Sequence, residues 1–315
     1  MARLLIASPH RYPDLARLWH RSVICELVPA FERLRLAVEV NIFCDANAEH
    51  FVPNLFPGVR FTRSGPGMRD FMEFYDARLN SPCDFLLFLD ADTFLLDGDW
   101  AGSYFEAFCN PGVAALSFVP RKGAPAIFAL LCRAENYRAL PAPALACRYE
   151  FPGSWPNGAF LQPGDFAARE LVKGGEIVIN IPADESSRHT AHFRGTTGLR
   201  ASREHTTRTA GEQVFLQLAR ENPAYLIAAY DNVLLGCLYE SLYHEPFAPD
   251  PAGRHLGGSL TVAELRQALR DVRDVKQLHA LRERFLQSQR NILRMAAREG
   301  VDLSIPSVLP NEARS

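Results

Sequence analysis

The sequence predicts an α/β fold with a buried, mixed sheet, followed by a helical segment. Two patterns carry that expectation. From Arg3 to Leu96, short apolar runs bounded by turn residues alternate with helix-periodic stretches, the order that builds a parallel-type sheet. In the last third, apolar residues from Leu265 to Met295 recur at helical spacing. The chain has 315 residues, enough for one large domain with an appendage. Its 48% apolar and 22% charged content suits a globular protein ordered away from its ends.

The elements follow in order. Arg3 to Ser8 is an apolar run stopped by Pro9, a buried first strand too short for a signal-peptide core. From Pro13 to Leu36, Leu15, Leu18, Trp19, Val23, Leu27 and Phe31 predict a helix that continues in spite of Pro29. Val38 to Cys44 and Val59 to Thr62 supply two further strands, and Met68 to Leu79 a helix. The run from Asp84 to Leu96 is nearly continuous in apolar residues, the mark of a central strand covered on both faces. Val113 to Val178 mixes strand-like runs with Pro- and Gly-rich turns, an irregular part of the sheet with antiparallel members. Pro246, Pro249, Pro251, Gly253, Gly257 and Gly258 mark a linker over 246–258, between a domain at 1–245 and a helical appendage at 259–315. Thr261-Val-Ala-Glu264 is a capping-box pattern opening the first appendage helix.

Several classes are disfavoured at once. The formal charge of −2 gives no electrostatic attraction for a polyanion, so no nucleic-acid partner is expected. No apolar run reaches the roughly 20 residues of a membrane-spanning helix. The seven cysteines are odd in number and widely spaced, with no Cys-x-x-Cys pair, which predicts buried free thiols and a cytoplasmic chain.

Asp90 and Asp92 close the central apolar run. Burying an unpaired carboxylate is costly, and a strand points residues i and i+2 to one side. Two like charges placed so at the carboxyl end of a strand, where ligands of parallel sheets bind, predict a divalent cation, with oxygen ligands suiting Mg2+ or Mn2+. The plainer alternative is a pair of acids capping the following turn.

An apolar strand ending in Asp-x-Asp resembles the GT-A glycosyltransferases, and the resemblance covers roughly residues 3 to 235. Later segments resemble glycosyltransferase family 8, the glycogenin and lipopolysaccharide galactosyltransferase family. His192-Phe193-Arg194-Gly195 looks like its His-Phe-x-Gly element, Pro156-Asn157-Gly158-Ala159-Phe160 like its Asn-x-Gly segment, and Gly211-Glu212-Gln213-Val214-Phe215 like its Asp-Gln-Asp element. The order differs: here His192 precedes Glu212, and Thr196-Thr197-Gly198 follows the histidine in place of Lys-Pro-Trp.

The resemblance implies a GT-A, Rossmann-like domain over 1–245 that binds a nucleotide-sugar donor, a UDP-sugar first of all, and transfers the sugar to an unknown acceptor. It implies a metal held by Asp90, Asp92 and His192, with His189 a competitor for the histidine role. Donor contacts are expected from Ser8 and Tyr12 after the first strand, Asp45 after the second, Arg69 and Asp70, Asp90 and Ala91 at the end of the central strand, and Asn157 and Gly158. Glu212 is the candidate base of an inverting enzyme, and Gln213 gains weight if the enzyme retains configuration. Bland readings stand beside these: Asn157-Gly158 is a common turn pair, Glu212 suits the first turn of a helix, and Arg69–Asp70 suits a surface ion pair.

Two other classes fit part of the pattern. The strand followed by Asp-Ala-Asp-Thr also resembles the nucleophile motif of haloacid dehalogenase-type phosphatases, but Gly164-Asp165 is followed by Phe166, Ala167, Ala168 and Arg169, without the second acid. A degenerate GT-A binding module is the other. From Glu264 to Glu299 there are nine Lys or Arg against five Asp or Glu, which reads either as a solvated helix packed on the domain or as a basic surface for a peripheral membrane or homo-oligomer contact.

Overall fold

In a computed structural model the described residues are 1–10, 12–44, 56, 59–63, 82–118, 129–140, 170–193, 223–247 and 262–308. Strand β1 (Arg3–His10) is the first apolar run, buried from Leu4 through Ala7. It pairs in parallel with β2 (Ala37–Cys44) on one side and β4 (Phe85–Leu89) on the other, and β2 pairs in parallel with β3 (Val59–Arg63). Strands β6 (Val113–Ser117), β7 (Ala129–Arg133) and β8 (Ile177–Asn180) complete a seven-stranded sheet of order β3-β2-β1-β4-β7-β6-β8. Only β7 runs against its neighbours, which makes the sheet mixed, as the irregular middle of the sequence predicts.

The Rossmann-like order matters for function. From β1 the chain builds outward to β2 and β3, then returns to lay β4 on the opposite side of β1. That reversal is a topological switch point, and the crevice outside the carboxyl ends of β1 and β4 is where such sheets take ligands. Leu86, Leu87, Phe88 and Leu89 of β4 are all buried, so the central position expected for this run is the one it occupies.

The predicted helix over 13–36 is interrupted. Helix α1 (Pro13–Ser22) passes through a π turn (Val23–Leu27) into α2 (Val28–Arg33). Pro29 lacks an N–H, and the ladder widens just before it: Val28 N–H bonds Val23 C=O, five residues back. The apolar stripe survives because Leu15, Leu18, Trp19, Val23, Leu27 and Phe31 stay buried through the bulge. Helix α2 ends in a Schellman motif with Arg35 at φ 62°, Arg35 N–H bonding Glu32 C=O and Leu36 N–H bonding Phe31 C=O.

Short helices α3 (Trp100–Phe105) and α4 (Ala134–Arg138) follow, and α5 (Ala183–His189) leads directly into strand β9 (Thr190–His192). Strand β9 pairs with β5 (Thr93–Leu95) in a separate two-stranded ribbon. The chain forms two compact units, Met1–Thr190 and Ala191–Ser315, the division falling inside β9.

In the second unit, α6 (Pro223–Tyr243) packs against α8 (Val275–Arg298), with the Tyr230 and Phe285 rings 4.4 Å apart, and α7 (Val262–Arg270) also touches α6. Asp274 caps α8 by accepting from Lys276 and Gln277 N–H. The C-terminal helices are thus as expected. The helix expected over 68–79, the cap residue Thr261 and nearly all of the 246–258 linker lie outside the described residues.

The thiol expectation needs correction. The described cysteines are free, but Cys25 and Cys109 are exposed and only Cys132 is fully buried. Cys25 falls on the outer side of the π turn and Cys109 at the end of a single 3-10 turn, so apolar neighbours in sequence did not translate into burial. Among the described residues, no helix is long and apolar enough to cross a membrane.

Candidate metal centre

Strand β4 stops at Leu89, and the next four residues form a tight turn in which Thr93 N–H bonds Asp90 C=O at 3.0 Å. Asp90 and Asp92 therefore share a side through the curl of a turn. This corrects the reasoning that strand alternation juxtaposes them, although the juxtaposition itself is present. Asp92 is 6% exposed, while Asp90 is half-buried.

The turn feeds β5, whose three residues are all buried. Ser22 on α1 secures it twice: Ser22 Oγ accepts from Leu95 N–H at 2.8 Å and donates to Leu95 C=O at 2.9 Å. One hydroxyl thus replaces a neighbouring strand. On the other edge lies β9, and Leu96 N–H bonds His189 C=O at 2.7 Å. That bond closes one end of the ribbon, which leaves Asp92 and His192 together at the other.

Among the described residues, Asp90, Asp92 and His192 form the group that could hold a metal ion, each offering one ligand atom, all within 4.8 Å of one another. Donors of one octahedral ion with bonds of about 2.1 Å lie about 3–4 Å apart, so slight closure would bring the three to bonding geometry. An O,O,N donor set suits Mn2+ or Mg2+. The residues fit the ion.

The fold places the two histidines differently. His192 belongs to the cluster, whereas His189 Nδ1 lies 2.9 Å from Asp97 Oδ1. Arg284 on α8 donates from Nη2 to His192 C=O at 2.8 Å, anchoring the backbone at His192.

The remaining expected donor residues divide in two. Ser8 and Tyr12 lie at the carboxyl end of β1, next to the switch point, and Ala91 sits in the Asp90–Thr93 turn. The Ser8 hydroxyl is fully buried and bonded to His10 Nε2 at 2.9 Å, and Tyr12 is the residue at the N-cap of α1. Asp45, Arg69, Asp70, Asn157, Gly158, Glu212 and Gln213 lie outside the described residues.

Sequence reasoning missed His10, Ser22, Asp97 and Arg284. His10 is buried with its ring edge-on to Trp19 at 5.1 Å, and burial pushes its pKa down to about 3. Ser22 and Arg284 act on residues 73 and 92 positions away, so no local spacing could have revealed them. His10 had a local signal: a histidine two residues after Ser8 on one strand face.

No protein-family model matches the chain, and no curated protein matches it. Solved structures resemble it weakly. A mannosyltransferase from Pyrobaculum calidifontis, in complex with GDP-Man and Mn2+, is 12% identical over 94% of this chain and 86% of that one, at a TM-score of 0.42. A 4-diphosphocytidyl-2C-methyl-D-erythritol synthase from Anaerococcus prevotii is 9% identical over 57% of this chain and 88% of that one, at 0.37. Mouse xyloside xylosyltransferase 1, in its apo form, is 13% identical over 57% and 84%, at 0.34. The strand order, rather than these likenesses, defines the class here: an α/β protein with a Rossmann-like mixed sheet, as the GT-A resemblance implies, and C-terminal helices.

Proposed function

We propose that this chain is a metal-dependent glycosyltransferase that moves a sugar from a nucleotide-diphosphate sugar, a UDP-sugar in the first instance, to an acceptor. The observation that carries the reading is the position of the Asp90, Asp92 and His192 ligand atoms, just past the carboxyl end of β4 at the sheet's switch point. A Mn2+ or Mg2+ ion held there would neutralise charge developing on a diphosphate leaving group.

The chain's own residues would do the rest. Asp92, buried in the turn, supplies a fixed carboxylate, and Asp90, less buried, can also reach the donor's ribose. Tyr12 and Ser8 stand at the end of β1 to meet the nucleotide, with Asp45, Arg69, Asp70, Ala91, Asn157 and Gly158 as further donor contacts. Glu212 would take the acceptor's proton if the reaction inverts configuration, and Gln213 would carry more weight if it retains it. Residues 1–245 would hold these sites and 259–315 the helical appendage.

Calorimetric titration of UDP and of GDP, with and without Mn2+, tests the proposal. Binding of one nucleotide that requires both Mn2+ and Asp92 is expected, with Asp92→Asn losing it. Absence of nucleotide binding in every condition, together with phosphate release from a generic phosphoester, would favour the phosphatase class and end the transferase reading.

A further inference from the structure

We propose that His189 and Asp97 form a positioning pair that fixes the register of β9 and so presents His192 to the aspartates; this rests on the metal-site reading above. Both strands of the ribbon are three residues long, and so short a pair is barely stable alone. Strand β5 is held from its other edge by Ser22. Strand β9 depends on its pairing with β5 and on what secures its two ends.

A slip of one residue would turn every side chain of β9 to the opposite face. It would replace His192 at the metal site by Ala191 or Phe193, both buried in the observed register. The bond from Leu96 N–H to His189 C=O sets the register in the backbone. The side chains of the adjoining residues repeat it: His189 Nδ1 meets Asp97 Oδ1 at 2.9 Å, across the closed end of the ribbon. A carboxylate has only acceptors to offer, so His189 donates, which fixes the tautomer and rotamer of that ring.

At the junction, Thr190 Oγ1 donates to Ser186 C=O at 3.0 Å, tying the first residue of β9 to α5. The His189 and Asp97 side chains are 22% and 32% exposed. A pair that open to solvent adds little to global stability, so its effect is local to the register it sets. The two histidines thus divide the labour: His192 binds, and His189 holds the strand that carries it.

The test is an electron paramagnetic resonance titration of free Mn2+ with the full chain, alongside thermal midpoints. His189→Ala and Asp97→Ala are each expected to weaken Mn2+ binding by about tenfold, the scale seen for partners that orient metal ligands. Their thermal midpoints should stay close to wild type. His189→Asn, whose amide nitrogen stands near the place of Nδ1, should recover most of the affinity. Alanine variants that bind Mn2+ as wild type does, or affinity that falls only in step with the thermal midpoint, would overturn the pair. A wild-type chain that binds neither Mn2+ nor Mg2+ overturns the metal-site reading together with it.

Discussion

Ser22 is buried on α1, and both backbone groups of Leu95 bond its single hydroxyl. Removing that oxygen breaks two buried hydrogen bonds, each contributing about 0.5–1.5 kcal/mol. Ser22→Ala should therefore destabilise the protein by about 1–3 kcal/mol, read from urea melts, and should weaken Mn2+ binding through the loosened β5. Ser22→Thr, which keeps the hydroxyl, tests whether the oxygen or the volume matters.

His10 offers a second test at the same scale. Its folded pKa of about 3 lies below the unfolded value near 6.5, so between those limits the unfolded chain binds a proton that the folded chain refuses. Its contribution to stability is intact above pH 6.5 and declines as the pH falls toward 3, by up to about 1.4 kcal/mol per pH unit. A His10→Gln variant should lose this component. Its stability relative to wild type, from denaturant melts at pH 7 and pH 5, should improve on acidification.

Among the elements, the two Schellman ends make a natural comparison. Helix α8 ends with Gly300 at φ 69°, with Gly300 N–H on Ala297 C=O and Val301 N–H on Ala296 C=O. Helix α2 makes the same bonds with Arg35 in the left-handed position, where a Cβ is unfavourable by about 1–2 kcal/mol. Arg35→Gly is expected to stabilise the protein by about 1 kcal/mol, less the extra freedom of glycine when unfolded; a thermal melt would show it.

The elements also show where periodicity was informative. Helix α1 carried an amphipathic stripe and was legible, as was α8. Helix α6 was not anticipated, because a helix apolar on most of its circumference has no polar face to set a period. Strand β9 was invisible for another reason: Thr190-Ala191-His192 is too short to alternate, and it becomes a strand only because β5 is there to pair with it.

For the whole molecule, an ion that binds only the folded state adds to its stability by mass action. At a free Mn2+ concentration 100 times the dissociation constant the gain is about 2.7 kcal/mol. The melting temperature should rise with Mn2+, return to its starting value with a chelator, and stay unresponsive in Asp92→Asn. A chain whose melting is the same with and without the ion would contradict a native metal site.

The sequence by itself determined the layers of this protein and the identity of its aspartates. Hydrophobic pattern decides which runs are buried, and Phe85–Leu89 could be stable only as a covered strand. The cost of burying charge then made Asp90 and Asp92 conspicuous, whatever the local geometry. The tertiary structure decided the rest of the site: that a turn rather than a strand joins the two aspartates, that His192 and not His189 meets them, and that Ser22 and Arg284 secure the ribbon. Apart from the turn, these are contacts between residues 73 to more than 90 positions apart. They come from the packing of whole elements, which local pattern does not encode.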